Sequence, residues 1–327
     1  MQVIEFNQLG NPADVLTLKQ VPDQSPAAGE VKVRVLATPI HPANLLQIAG
    51  QYAAAPPLPS VPGGEGVGQV VELGEGVSHL QVGQNVLLAG VGGTWRSEIV
   101  APAAGFIPAP PGDVEQLSML AVNPLTAHLM LSDFAELKEG DWIIQNAANS
   151  AVGEMVIQLA ALKGIKTVNI VRRDDQLLRL KDLGGTVVLL DGPDLVERVA
   201  EATGGADIRL AFDCVAGESH ERMIETLGYG ASIITYGTLS GKQPELNLSA
   251  MITKDIRPRG FWLQQWYQTA SQEQKQGALG ALIPLIASGQ IKTKIDSRFP
   301  LEEIGDAVTR AAAGGRDGKV LLTPTHH

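Results

Sequence analysis

Residues 142–153 read WIIQNAANSAVG, an apolar run that ends in a polar turn. An amphipathic segment follows, with Val152, Val156, Leu159, Ala160 and Lys163 at helical spacing. Strand, tight turn and helix in that order aim free N–H groups and a positive dipole end at whatever sits above the turn, which suits a pyrophosphate. A dinucleotide fingerprint asks for glycine at 148, 150 and 153, and the chain offers Ala148, Ser150 and Gly153. Only the third is kept, the one that lets helix and strand pack closely. Where an acidic side chain would bind a ribose 2′-hydroxyl, nineteen residues past Gly153, stand Arg172 and Arg173. Guanidinium suits a 2′-phosphate, so the register favours NADPH over NADH; two solvated arginines opening a helix are the plainer alternative.

A second candidate is Tyr52, at the end of QIAGQY (47–52) and just before an Ala/Pro-rich stretch. A phenol, with a pKa of about 10, is protonated at neutral pH and can give its proton to a developing carbanion or enolate. The same residue could instead pack at a loop base with its hydroxyl in water. Of the histidines (41, 79, 128, 220, 326 and 327), His41 and His128 are possible acid–base groups, but lone histidines more often pack or face solvent. They are scattered, Gly64-Glu65 has neither His nor Cys beside it, and the lone Cys214 lies in an apolar strand as an inert thiol. No three-ligand site assembles locally, so zinc is not expected.

These residues must be held by two textures of chain. Up to about residue 120, VIEF (3–6), VKVRVLATPI (31–40), GVGQVVELG (66–74) and NVLLAG (85–90) alternate with Gly/Pro punctuation, as in a β-rich, barrel-like domain. Residues 41–64 read as a long loop, either plain surface or overhanging a cleft. Beyond about 121, strands at 166–171, 186–190, 208–215, 231–237 and 259–263 alternate with helices near 175–183, 194–202, 218–227 and 272–288. That alternation predicts an α/β domain with a doubly wound parallel sheet, its ligand at the strands' carboxyl ends. Those ends include Asn146–Ser150, Val171–Asp174, Asp213–Gly217, Tyr236–Gly237 and Phe261–Leu263. Trp262 and Trp266 either pack in a core or wall a pocket for an acyl chain. The tail returns to short strands and one helix and is expected to rejoin the first domain.

The totals bound the partners. With 327 residues the chain can bury two cores, and 44% hydrophobic against 18% charged residues argues against disorder. A net charge of −10 without a basic run or interleaved aromatics argues against nucleic acid as the main partner. One cysteine rules out an intrachain disulfide framework, and the apolar runs fall short of a membrane span. Met1 leads straight into QVIEF with no signal pattern, so a soluble cytoplasmic protein is expected.

The stretches IHPANLLQIAGQY (40–52), GTWRSEIV (93–100), AVNPLTAHLML (121–131), WIIQNAANSAVGEMVIQLAALKG (142–164), NIVRR (169–173), TYGTLS (235–240) and RGFWLQQW (259–266) carry a resemblance. Over essentially its whole length the chain resembles the medium-chain dehydrogenase/reductases, and within them the zinc-independent 2-enoyl thioester reductases. The resemblance implies a GroES-like catalytic domain (1–121 with 299–327) and a Rossmann NADPH-binding domain (122–298). Tyr52 matches the family's proton donor. Asn123, Asn149, Ser150, Ala151, Val152, Arg172, Arg173, Tyr236, Gly237, Phe261, Trp262 and Lys319 match its NADPH contacts, and Asn44 and Trp262 fall in the substrate pocket. The implied activity is reduction of trans-2-enoyl thioesters of CoA or acyl-carrier protein by a homodimer formed through the cofactor domains. Quinone or general enone reduction within the same superfamily, and NADPH binding without catalysis, are the alternatives. His41 stands where related chains usually have Asn, Asn44 where many have Asp and Ala151 where Gly is common, departures that bear on substrate preference.

Overall fold

In the computed structural model, which describes residues 1–52 and 55–325, contacts divide the chain into residues 1–122 with 279–327, and 123–278.

In the first unit the Gly/Pro-punctuated segments form short strands: β1 (Gln2–Glu5), β2 (Thr17–Gln20), β3 (Glu30–Pro39), β4 (Val67–Leu73), β5 (Asn85–Leu87), β6 (Glu98–Pro102) and β7 (Ile107–Pro108). The long strand β3 pairs antiparallel with both β4 and β6. Its alternate residues Val31, Val33 and Val35 are fully buried in one core with Val70, Val86 and Ile99, the period-two pattern of a strand with one face turned inward. A second core gathers Ile4, Phe6, Ile40, Ile48 and Trp95 with Leu301, Ala307, Val320 and Leu322 from the tail.

The second unit runs β8 (Trp142–Gln145), β9 (Lys166–Val171), β10 (Val187–Leu190), β11 (Ile208–Asp213), β12 (Ser232–Thr235) and β13 (Arg257–Gly260). Every pairing is parallel, in the order β10-β9-β8-β11-β12-β13. Numbered within the unit this is 3-2-1-4-5-6, the Rossmann order, with its switch point between β8 and β11. The strands are near-continuous apolar runs because helices cover both faces; Ile144, Val168, Ala211 and Ile233 are among the buried residues on one side. Strands β14 (Ile295–Phe299) and β15 (Lys319–Leu322) return to the first sheet, β15 pairing with β3.

Three expectations are corrected. The stretch 41–64 is not all loop: Pro42–Ile48 is helical, with proline in the first turn and the Asn44 Oδ1 accepting from the His41 N–H at 2.9 Å, a local cap that loop-like composition hides. Residues 53 and 54 of that stretch, and His326 and His327, lie outside the described residues. The last parallel strand is Arg257–Gly260, and Trp262 opens the helix Leu263–Thr269, so Trp266 is helical. The tail rejoins the first unit at Leu279 instead of 299. The reason is contact inside that unit: a Cβ on Gly112 would come 3.2 Å from the Ala287 backbone. In addition, the Thr293 N–H donates to Gln116 Oε1 at 2.8 Å.

Candidate active site

The turn after β8 is built by its own polar side chains. Ser150 is the N-cap of the helix Ala151–Leu162, its Oγ accepting from the Gly153 N–H at 3.1 Å. Ala147 holds φ +46°, and a Cβ at Gly153 would lie 2.6 Å from the Ala148 oxygen and 2.8 Å from the Ala147 oxygen. Glycine is therefore required at 153, and its reason is closeness to the turn's own carbonyls. Asn149 is exposed at the tip, with Ala151 and Val152 half-buried behind it at the helix N-terminus.

Beneath the turn lies a polar layer that pattern reading missed. Gln145 Nε2 donates to the Gly153 oxygen at 2.9 Å and to Asn169 Oδ1 at 2.8 Å, tying β8 to β9 and to the following helix. Asn146 Oδ1 accepts from the Cys214 N–H at 2.8 Å while its Nδ2 donates to Asp213 Oδ1 at 2.7 Å, which clamps the switch point. The fully buried Asp213 also accepts from the N–H groups of Val215 (3.0 Å) and Ala216 (2.9 Å) and pairs with His220 Nδ1 at 2.8 Å. Burial alone would raise its pKa, but the hydrogen bonds from His220, Ala216 and Asn146 outweigh it and hold the carboxyl below the usual range. An Asp at the end of an apolar strand was the one available signal.

Arg172 and Arg173 follow β9 and are exposed, Arg173 Nε lying 3.3 Å from Asp175 Oδ1. Tyr236 and Gly237 follow β12; a Cβ on Gly237 would meet Cys214 Sγ at 2.7 Å. Burial, then the neighbouring Cys214, pushes the Tyr236 phenol well above its ordinary pKa, with Ser150 pulling the other way. Burial likewise pushes the Cys214 thiol up to about 12, so it stays protonated and unreactive. Phe261 stands edge-on to Phe134, centroids 6.0 Å apart, and Trp262 beside it is 38% exposed. Asn123, at the start of the helix Asn123–Ser132, is buried, and among the described residues its Nδ2 has no hydrogen-bond partner. An orphaned buried amide and a tight turn leading into a helix N-terminus are what a dinucleotide's carboxamide and phosphates would complete, so these residues fit the cofactor. His128 is half-buried; burial, then Lys163, lowers its pKa and keeps it neutral.

In the first unit, Tyr52 is half-buried, four residues beyond the helix Pro42–Ile48. Asn44, on that helix, has its Oδ1 committed to the cap. Lys319 on β15 is buried, its Nζ 3.0 Å from His41 Nδ1, and His41 Nε2 lies 2.5 Å from Glu65 Oε1. Burial first brings the Lys319 ammonium down to about 7, with Glu65 opposing. The unfolded chain therefore binds one more proton between pH about 7 and about 10, and this residue makes the fold more stable as pH rises through that window. Burial, then Lys319, lowers the His41 pKa against the pull of Glu65. His79 Nε2 lies 3.2 Å from the Ala103 oxygen. Among the described residues no group of three or more His, Cys, Asp or Glu side chains is gathered as for a metal ion.

Residues 27–111 match the alcohol dehydrogenase GroES-like domain and residues 151–279 the family described as zinc-binding dehydrogenase. The mitochondrial enoyl-[acyl-carrier-protein] reductase of Rattus norvegicus is 36% identical over 330 residues, covering 99% of this chain and 88% of the relative. Among solved structures, a protein assigned as an NADPH:quinone reductase from Bacillus thuringiensis superposes with TM-score 0.90 at 30% identity, covering 99% of both chains. The mitochondrial 2-enoyl thioester reductase Etr1p/Etr2p heterodimer from Candida tropicalis gives 0.88 at 28% identity, covering 98% of this chain and 99% of its own. The Etr1p/NADP/crotonyl-CoA complex gives the same score, identity and coverage.

Proposed function

The chain belongs to the enoyl-[acyl-carrier-protein] reductases of the medium-chain dehydrogenase/reductase superfamily, and we propose that it uses NADPH to reduce the C2=C3 double bond of trans-2-enoyl thioesters. The observation that carries the reading is the NAANSAVG turn with Gly153 pressed on its carbonyls, on a chain whose relatives share it almost end to end. The structural likeness to a protein in complex with NADP and crotonyl-CoA supports the same substrate class.

Bound NADPH supplies the hydride that adds to the β-carbon. This chain's residues do the rest. Asn149, Ser150, Ala151 and Val152 offer the helix N-terminus to the pyrophosphate. Arg172 and Arg173 take the 2′-phosphate. Asn123, Tyr236, Gly237, Phe261 and Trp262 complete the cofactor contacts, whereas the Lys319 Nζ is buried against His41 Nδ1. The Tyr52 hydroxyl delivers a proton to the α-carbon of the enolate. No zinc belongs to this reading, since a thioester-conjugated alkene is already polarised. Acyl-carrier protein is proposed as the natural carrier. A homodimer is proposed through the cofactor units. Its support is that β13 ends its sheet, with exposed Leu246, Leu248 and Ile252 just before it in the chain, and that the Candida neighbour is a heterodimer.

The test is NADPH oxidation with crotonyl-CoA and a longer trans-2-enoyl-CoA beside a 1,4-quinone. Turnover of the thioesters well above the quinone is expected. Quinone turnover alone would move the chain to the second reading, which the Bacillus thuringiensis likeness favours. Cofactor choice is checked separately. A charge-assisted hydrogen bond contributes about 1.5–3 kcal/mol, so replacing Arg172 and Arg173 together by Ala raises the NADPH Kd on the order of 10²-fold. The NADH Kd stays within about twofold, because the lost donors face a group NADH lacks. Equal losses for the two cofactors in titration calorimetry would sink the 2′-phosphate assignment.

A further inference from the structure

His41 lies where β3 hands over to the helix Pro42–Ile48, and its ring is engaged at both nitrogens. Three side chains meet there, His41 at 6% exposure, Glu65 at 1% and Lys319 at 6%, so water does not share these bonds. An ammonium can only donate, so His41 Nδ1 accepts from Lys319 and the ring proton sits on Nε2, facing Glu65. The other Glu65 oxygen accepts from the Ala121 N–H at 2.7 Å. With Lys319 protonated, carboxylate, neutral ring and ammonium form a row whose charges sum to zero, and Glu65 offsets part of what burying the ammonium costs. An imidazolium would turn an N–H against the ammonium, and a neutral lysine would leave the carboxylate's charge unbalanced. Behind Lys319 stands Arg316, and behind Arg316 are Arg310 and Asp296; Glu65 is the acid facing the ring.

The backbone of His41 is also tied into the first turn of the helix that follows it. The His41 N–H is held by Asn44 at 2.9 Å, and the His41 oxygen accepts from the N–H of Asn44 at 3.0 Å. At the other end of the helix Ile48 is fully buried, and Gly50, at φ +73°, turns the chain toward Tyr52. A hydrogen bond joins Lys319 to His41, and from His41 a helix of two turns and one tight bend lead along the chain to Tyr52.

We propose that His41 is a positioning residue: gripped by Glu65 and Lys319, it sets the helix Pro42–Ile48 and thereby the placement of Tyr52, in a manner that depends on the proton held between His41 and Lys319. The inference rests on Tyr52 being the proton donor, and its test separates the two. The protein is labelled with 3-fluorotyrosine, and the Tyr52 resonance is assigned by its loss in Tyr52→Phe. Fluorine NMR from pH about 5.5 to about 8.5, spanning the neutral range in which such pairs titrate, follows the ring without turnover. In the wild-type chain the Tyr52 resonance moves in one step across that range; in Lys319→Met and in His41→Phe the step is gone. The kcat for crotonyl-CoA drops tenfold or more in both, toward the ~10²-fold that a displacement on the order of 1 Å costs, with the substrate KM held. A flat wild-type titration overturns the proposal whatever the variants do, and so does a step that persists in either folded variant. If Tyr52→Phe turns over normally, Tyr52 leaves the reaction while the fluorine result still decides whether His41 positions it.

Discussion

Tyr52→Phe lowers kcat for a trans-2-enoyl thioester by about 10²–10⁴-fold, the range a positioned proton donor contributes, and leaves the NADPH Kd within about twofold of wild type. The substitution removes one oxygen from a half-buried ring four residues beyond the helix Pro42–Ile48, so packing and fold are kept. What is lost is the proton for the α-carbon. Hydride addition without it leaves an enolate that must wait for water, and the loss falls on kcat because the hydroxyl matters most where charge develops. A solvent deuterium isotope effect gives the same residue a second readout, since the proton-transfer step then limits the variant. Turnover within twofold of wild type, about 0.4 kcal/mol in barrier, removes Tyr52 from the mechanism.

Asp213→Ala produces the largest loss of stability, on the order of 3–5 kcal/mol, the cost of removing one member of a buried charged pair. The carboxylate, itself fully buried, takes bonds from Asn146, Val215, Ala216 and His220 at 2.7–3.0 Å. Its loss orphans buried donors and frees the turn that holds Ala216 at φ +63°. The melting temperature falls by roughly 10 °C at about 2–4 °C per kcal/mol. Asp213→Asn costs less, because the shape survives and only part of the acceptor capacity goes. The pH dependence has a definite sign. Hydrogen bonds hold the folded pKa below the ordinary carboxylate value, so this stabilisation is complete above pH about 4 and is lost as pH falls through the folded pKa. Wild type and Asp213→Asn should therefore converge in stability on acidification. A constant gap down to low pH in denaturant titrations would show that the carboxylate's charge is not what stabilises the switch point.

Much of the cofactor unit is legible without a structure because its signals are local. The run KTVNIV is the strand β9, residue for residue, and a parallel sheet buried on both faces writes its strands as apolar runs with helices between. Gly153 is required by atoms within six residues of it, so a spacing pattern can find it. The Arg172-Arg173 register is likewise a count along the chain.

Where local signals compete, the reading slips by an element. Phe261 and Trp262 extend an apolar strand pattern, yet the ladder ends at Gly260, where β12 ends opposite it, and the next helix begins. Pro42 looks like loop chemistry and is the first turn of a helix.

The rest depends on distance along the chain. Asp213 meets Asn146 across 67 residues, and Lys319 meets His41 across 278. Period and composition carry no information on which buried charge faces which, because burial strips each group of water and only the fold supplies its partner. The sequence by itself determined two units, a parallel sheet, and a strand–turn–helix with Gly153 packed on the turn. Tertiary structure alone decided that Glu65, His41 and Lys319 stand in one hydrogen-bonded row, because a low-dielectric interior tolerates such groups only when they are brought together.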